Sequence, residues 1–501
     1  MTTIDATRAE APLILTLDIG TSSTRALLYD ARGRAVEGMS ARERSTQQVT
    51  SDGTAEEDAD AAFHRIERCI DDLLLHAGPL ADAIGAVAID TFVSNIMAVD
   101  AAGKPLTPLI IYADTRNGAD AVELQQRLDE RRIHERTGCL LRTSYWPARL
   151  AWFRREYPEI WRDAARWITI GEYLEQRLFG RSRVSYSAAA WSGLLDRRQL
   201  IWDTPLLDAL RLDASRLSPL VDIDAPQQGL TGTAAVRWPA LRDIPWFPAI
   251  GDGAAANIGS GCIGPDRVAI TVGTTGALRV VRPHVARVPH GLWCYRVDRR
   301  RALLGGATSE GGNVYSWLRR LLYLSGGPDV TERSLAAMPP DSHGLTILPF
   351  LAGERSPGWA GDVSGVVAGL TLGTGQIDLL RAGLESIAYR FALIAEQIFA
   401  AEEQPTQLIA SGGALLSSPT WMQIIADTLG RPVTVSSEGE ATSRGCALLA
   451  LEALGVIDTL ARLPAAVGET YEPDTDRHAC YRSALERQRR LYDMLIGQGW
   501  R

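Results

Sequence analysis

Leu17-Asp18-Ile19-Gly20-Thr21-Ser22-Ser23-Thr24-Arg25 and Ile270-Thr271-Val272-Gly273-Thr274-Thr275-Gly276-Ala277-Leu278-Arg279 are one motif written twice, near the start of the chain and past its middle. Each copy follows a short apolar run and leads into another, Ala26-Leu27-Leu28-Tyr29 and Val280-Val281. Each therefore reads as a β-hairpin whose tip is Gly-Thr plus small hydroxyl residues. Such a tip suits phosphate. Glycine admits close backbone approach, successive N–H groups form an anion-binding concavity, and Thr or Ser hydroxyls add donors without bulk. Two copies predict two related half-molecules gripping one polyphosphate between them.

Around these hairpins the pattern is mixed α/β. In the first half we read strands over 13–18 and 26–30, a helix over 57–76, and strands over 84–89 and 96–100. The region 119–174 is helical and rich in Arg and Trp. Its Trp146, Trp152, Trp161 and Trp167 form either a packing face or the aromatic wall of a cleft. A polar, Pro-containing stretch over 222–248 reads as a hinge, dividing the chain into domains 1–248 and 249–501. Beyond it lie the second hairpin over 266–281, a strand over 302–306, helices over 313–324 and 377–401, and a strand over 408–410. Helices over 420–429, 443–454 and 481–495 complete the pattern.

A chain of 501 residues is too long for one ordinary core, in line with two domains. Its 46% hydrophobic and 22% charged residues are those of a globular protein. The net charge of −8 argues against broad affinity for nucleic acid or membrane surfaces, which need a basic face. No secretory signal pattern opens the chain, and the apolar run over 84–99 is short and broken by Asp90, so a cytoplasmic protein is expected. The six cysteines have no Cys-x-x-Cys pair and no zinc spacing, and read as buried free thiols. Lys104 is the single lysine among 52 Lys and Arg residues. That excludes P-loop NTPases, protein kinases, and Schiff-base or pyridoxal-phosphate chemistry. Any phosphate must be met by backbone N–H, hydroxyls, arginine and a metal ion.

The most specific element is Ile250-Gly251-Asp252-Gly253-Ala254-Ala255-Ala256-Asn257. It sets one carboxylate among glycines at the end of an apolar stretch, so a substrate hydroxyl could come within hydrogen-bonding reach of Asp252 as general base. A helix N-cap is the alternative role. Gly259-Ser260-Gly261-Cys262-Ile263-Gly264 fits Gly-x-Gly-x-x-Gly but lacks the strand-to-helix order of a dinucleotide site. Asp18, beside the first Gly-Thr tip, stands where a carboxylate meets Mg²⁺ next to substrate phosphate, or else caps a strand end. Ser411-Gly412-Gly413-Ala414-Leu415-Leu416-Ser417 joins strand to helix with little bulk, either as a bed for adenine and ribose or as a tight turn. Gly305-Gly306 and Gly311-Gly312 read as turns.

Together these elements resemble the FGGY family of sugar kinases, over nearly the whole chain and in order. The family's C-terminal signature is similar to Gly365-Val366-Val367-Ala368-Gly369-Leu370, then Asp378-Leu379 and Ala382-Gly383-Leu384-Glu385, with Gly383 where a slightly larger residue is usual. The resemblance implies two ribonuclease-H-like, actin-like ATPase domains with a cleft between them, sugar on the first and ATP on the second. It implies Asp252 as the base, and Asp18 with Asp252 near Mg²⁺. Thr21, Ser22, Ser23, Arg25, Gly273 and Thr274 would hold phosphates, while Gly312, Ser316, Gly413 and Ser417 would contact ATP. Closure of the cleft would exclude water.

Within the family the chain looks most like gluconate kinase, through Ile168-Thr169-Ile170-Gly171-Glu172-Tyr173, Tyr186-Ser187-Ala188-Ala189-Ala190, Tyr112-Ala113-Asp114-Thr115-Arg116 and Leu348-Pro349-Phe350-Leu351-Ala352-Gly353-Glu354-Arg355-Ser356-Pro357. It departs where xylulose and gluconate kinases usually carry Gln-Met-His, having Phe92-Val93-Ser94, and Tyr112 replaces a usual tryptophan. Ser94 and Tyr112 are thereby the expected substrate contacts of a rebuilt pocket. Expected acceptors are a sugar acid, gluconate first, or a xylulose-like pentulose or polyol. An actin- or Hsp70-like ATPase serving a protein partner, and a silent sugar sensor, are the competing classes; Asp252 in its glycine setting argues against both. Oligomeric state, a homodimer included, is left open.

Overall fold

The computed structural model describes residues 3–324, 327–400 and 405–497. The first motif is a hairpin in which Leu13–Ile19 pairs antiparallel with Ser23–Tyr29, setting Asp18 opposite Arg25. It lies within a six-stranded sheet ordered Thr3–Ile4, Ala35–Arg44, Ser23–Tyr29, Leu13–Ile19, Ile84–Thr91, Ile250–Gly251, the last two parallel to Leu13–Ile19. The second motif pairs Arg267–Val272 with Gly276–Arg282. Its seven-stranded sheet runs Trp293–Arg296, Ala302–Thr308, Gly276–Arg282, Arg267–Val272, Gln407–Ser411, Val433–Ser436, Val467–Tyr471. In both sheets a hairpin gains an antiparallel strand beyond its second strand and two parallel strands beyond its first. The duplication in sequence is thus a duplication of topology.

Both hairpins are buried along almost their whole length, as strands covered on both faces must be. Helix Ala59–Ala77, capped by the Asp58 carboxylate accepting from Ala61 N–H, packs its apolar stripe on the first sheet. Helix Gln376–Phe399 is buried nearly all round under the second. The expected helix over 377–401 ends at Phe399, and Ala401 lies outside the described residues. Trp146, Trp152 and Trp167 are buried in one apolar cluster, Trp152 and Trp167 against the Phe153 ring, and Trp161 packs on Trp167, so these tryptophans form a packing face.

Two expectations need correction. The stretch 222–248 is no hinge: Trp238, Leu241 and Trp246 are buried in the core of the first lobe. Val87 N–H donates to Pro245 O at 2.9 Å, and Gln227 and Trp246 exchange two backbone hydrogen bonds. Prolines and charges there mark turns, while the tryptophans anchor the segment. Likewise Gly305 and Gly306 are no turn but lie in strand Ala302–Thr308. A Cβ at Gly305 would stand 2.4 Å from Leu278 O, so the backbone needs glycine for close packing. The division after Pro248 also leaves Ile250–Gly251 in the second half, although that strand completes the first sheet.

The lobes meet where helices Asp252–Gly259 and Ala441–Ala453 cross. A Cβ on Gly259 would stand 1.7 Å from Ala441 O, and one on Gly445 would stand 1.9 Å from Ala255 O. Only glycine permits this backbone-to-backbone contact. Helix Ala441–Ala453 also lies against strands Leu13–Ile19 and Ile84–Thr91, so a late segment of the chain covers the first sheet.

Candidate active site

Three neighbouring parallel strands end in carboxylates. Asp18 and Asp90 are direct register partners, and Ile250 is the partner of Asp90, which brings Asp252 to the same edge two residues later. Ligands of open α/β sheets bind outside such strand ends. Asp252 is not the helix cap, since Gly251 holds that position and Asp252 is the first helical residue. Gly253 N–H donates to its Oδ1 at 2.7 Å, and the side chain remains partly exposed. Shielding from water raises its pKa from 3.8 to about 6, against the opposing pull of Arg279. Burial raises Asp18 also, with Arg25 pulling it down.

Asp90, which interrupted an apolar run in the sequence, is fully buried. Burial and the Asp18 charge push its pKa well above the carboxylate range. The Cys446 thiol, on the helix from the second lobe, donates to its Oδ2 at 3.2 Å, while Oδ1 has no hydrogen-bond partner among the described residues.

The two Gly-Thr turns flank this edge. Gly20 N–H donates to Ser23 O at 3.0 Å, which closes the first turn and presents Thr21 and Ser22 at its partly exposed tip. Ser23 is buried, and its Oγ accepts from Arg42 at 3.2 Å. Arg25 is paired with Glu440 of the other lobe at 2.6 Å. In the second lobe three segments converge. Gly312 N–H donates to Gly273 O at 2.8 Å and Asn313 N–H to Thr274 O at 3.0 Å, while a Cβ on Gly312 would stand 2.5 Å from Ala414 Cβ. Gly273, Thr274, Gly312 and Gly413 thus share one cradle. Ser316 is exposed one turn along helix Gly312–Leu321, and Ser417 is exposed with its Oγ donating to Ala414 O at 2.8 Å. Gly412 adopts φ +98° against Val272, a place for glycine alone.

The Phe92–Ser94 segment is tied to the elements around it. Phe92 is buried, and Ser94 holds φ +59° with its Oγ donating to Trp191 O at 2.7 Å. The Ser94 carbonyl accepts from Arg149, and Asn95 accepts from Ile170 N–H at 2.8 Å. The segment is therefore wired into the scaffold. Tyr112 is 45% exposed. What lies against the Asp252 turn is aromatic: a Cβ on Gly251 would stand 2.5 Å from Trp191 Nε1, and one on Gly253 3.1 Å from the far edge of the same indole. Trp191 stacks on Tyr295 at 3.6 Å, and Tyr295 on Trp293 at 4.5 Å. Arg279 Nε lies 3.6 Å from the place of a Gly253 Cβ. Glu310, just before helix Gly312–Leu321, is buried with both carboxyl oxygens unpartnered among the described residues, and burial raises its pKa to about 7.

A duplicated sheet, two Gly-Thr turns and a carboxylate edge between them define a two-lobed, actin-like phosphotransferase. Comparison with known proteins specifies it further. The description "FGGY family of carbohydrate kinases" fits residues 13–259 as the N-terminal domain and 268–454 as the C-terminal domain. The chain belongs to the FGGY family of carbohydrate kinases and is an enzyme of that phosphotransferase class. It is 28% identical to the gluconokinase of Bacillus subtilis over 496 residues, covering 96% of this chain and 94% of that protein. It is 26% identical to the xylulose kinase of Escherichia coli over 488 residues, 96% and 98% of the two chains. The crystal structure of gluconate kinase from Lactobacillus acidophilus superposes with a TM-score of 0.89 at 26% identity, over 96% of this chain and 98% of that one.

Proposed function

We propose that this kinase transfers the γ-phosphoryl group of ATP to a terminal hydroxyl of a sugar acid, gluconate being the favoured acceptor, with Asp252 as general base. The observation that carries this reading is the setting of Asp252: partly exposed between two glycines, beside Arg279, with a pKa of about 6. A base of that strength is mostly ionised at neutral pH yet accepts a proton readily. In this reading Thr21, Ser22, Gly273 and Thr274 hold phosphates by backbone and hydroxyl donors. Gly312, Ser316, Gly413 and Ser417 take the rest of ATP. Ser23 and Arg25 act from behind the first turn, through Arg42 and Glu440.

The acidic edge suits Mg²⁺, a hard cation that prefers carboxylate and phosphate oxygens. Asp18 and Asp252 would hold it, two partly exposed carboxylates brought to one sheet edge, which is the donor set such an ion takes. Bound there, Mg²⁺ would neutralise charge on the phosphates. Asp252 removes the hydroxyl proton, the turns align the phosphates, and the Trp191 face keeps water from the acceptor. We place the lobe boundary between residues 259 and 268, and the enzyme in the cytoplasm, where ATP is available.

The xylulose kinase relatives support a second reading, a pentulose or polyol acceptor. An ADP-release assay with aldonates, pentuloses and polyols tests both. Turnover stimulated by an aldonate above all others is expected; ATP hydrolysis unaffected by every small acceptor defeats both readings.

A further inference from the structure

Several buried arginines in this molecule are matched, although Arg197 keeps Nε and Nη2 without a hydrogen-bond partner among the described residues. Arg65 meets Glu57, Arg381 meets Glu385, Arg390 meets Glu354, and Arg149 donates to two backbone carbonyls. Arg279 and Arg355 differ. Neither has a carboxylate within salt-bridge distance among the described residues. Arg279 Nε is buried without a partner, and Nη1 reaches only Thr271 Oγ1 at 3.5 Å. The Arg355 guanidinium has only the Trp359 ring, at 6.0 Å. The two side chains repel each other electrostatically, and both act on Tyr295, the ring stacked on Trp191. Glu310 is the acid that senses Arg355, yet its own oxygens find no hydrogen bond.

Asp252 is the anion whose charge acts on Arg279, but no carboxylate among the described residues pairs directly with either guanidinium, and cations held next to one another in a half-buried site are costly unless a further anion completes them. A carboxylate suits a guanidinium fork, and the bond to a charged partner is the stronger kind. Arg279 Nε stands over the Asp252–Gly253 turn, on the acceptor's side of the base. Arg279 Nη1 also reaches towards Thr271, two residues before Gly273, so the guanidinium stands between the Asp252 turn and the second Gly-Thr turn.

We propose that Arg279 and Arg355 form an anion subsite that binds the carboxylate of the acceptor, making this enzyme selective for aldonates over neutral sugars and polyols. The inference rests on the kinase reading above and names the residues that choose its substrate. Its chemistry is shared with the γ-phosphate of ATP, so the test must separate the two sources.

The test uses the full chain, wild type and Arg279→Gln and Arg355→Gln, with gluconate, xylulose, xylitol and ATP. Calorimetric binding of gluconate is measured beside ADP-release kinetics, and thermal melting confirms that each variant folds. In Arg279→Gln the preference for gluconate over xylitol, as the ratio of kcat/KM values, is expected to fall roughly tenfold to a hundredfold, while KM for ATP holds. A rise in KM for ATP equal to that for gluconate assigns the anion to ATP and overturns the proposal. Equal losses on gluconate and xylitol overturn it too. Wild type that turns over only neutral acceptors overturns the subsite and leaves the kinase reading standing. Should no acceptor be phosphorylated, the kinase reading fails, and gluconate binding decides the subsite separately: binding lost in Arg279→Gln supports it, and no binding to wild type refutes it.

Discussion

Replacing Asp252 by Asn separates a catalytic carboxylate from a structural one. The amide is nearly isosteric, and its Oδ1 can still accept from Gly253 N–H, the 2.7 Å bond present in the structure. Removing a general base costs about a hundredfold to ten-thousandfold in kcat, or roughly 3–5 kcal/mol of barrier. Stability should move the other way. A carboxyl raised from 3.8 to about 6 burdens the folded state by about 3 kcal/mol as an upper figure once it is ionised. The sign follows from the raised folded pKa: the burden is absent below about pH 4, grows as pH rises towards about 6, and is full above it. Asp252→Asn is therefore expected to melt higher than wild type at pH 7.5 and equally at pH 4. The assays are ADP release under saturating acceptor, nucleotide binding by calorimetry, and thermal melting at both pH values. Activity within tenfold of wild type would refute the base. A large loss of melting temperature at pH 7.5 would instead make Asp252 a structural residue.

In wild type, kcat/KM should fall about tenfold per pH unit below about 6, as Asp252 takes up a proton before the substrate can supply one; a rate flat from pH 7 to 5 contradicts this. Gly445→Ala brings a Cβ to 1.9 Å from Ala255 O and should cost roughly 1–3 kcal/mol or more, seen as an earlier urea midpoint. Arg25→Ala breaks the pair with Glu440, whose side chains are 31% and 41% exposed, so stability should change by less than about 1 kcal/mol. Its effect should appear in KM for ATP, and an unchanged KM would remove Arg25 from the nucleotide site.

The paired hairpins were legible because a Gly-Thr tip between apolar runs is a local signal, and so was Asp252 between its glycines. Asp90 was not. It reads as a blemish in an apolar strand, and only the parallel register with Leu13–Ile19 brings it beside Asp18. The partners of Phe92–Ser94 were not legible either: Ser94 bonds to Trp191 and Arg149, both far off in sequence. The stretch 222–248 looked like a hinge because prolines are visible in a sequence and the burial of Trp238 and Trp246 is not. Arg279 stood within the repeated motif, yet its role depends on what Gly253 leaves room for.

The thiol of Cys446 joins the helix of one lobe to the acid edge of the other. That helix also buries Leu448 and Leu449 against the first lobe, and Arg444 on it donates to Gly33 O and Gly259 O, so the sulfur-to-oxygen contact sits inside the packing that joins the lobes. The S–H stretch absorbs in an infrared window that other protein groups leave empty, and it softens when the thiol donates. A difference spectrum between wild type and Cys446→Ala would isolate that one oscillator. The thiol is thus a label-free reporter of the Asp90 edge, readable in solution as nucleotide and acceptor are added.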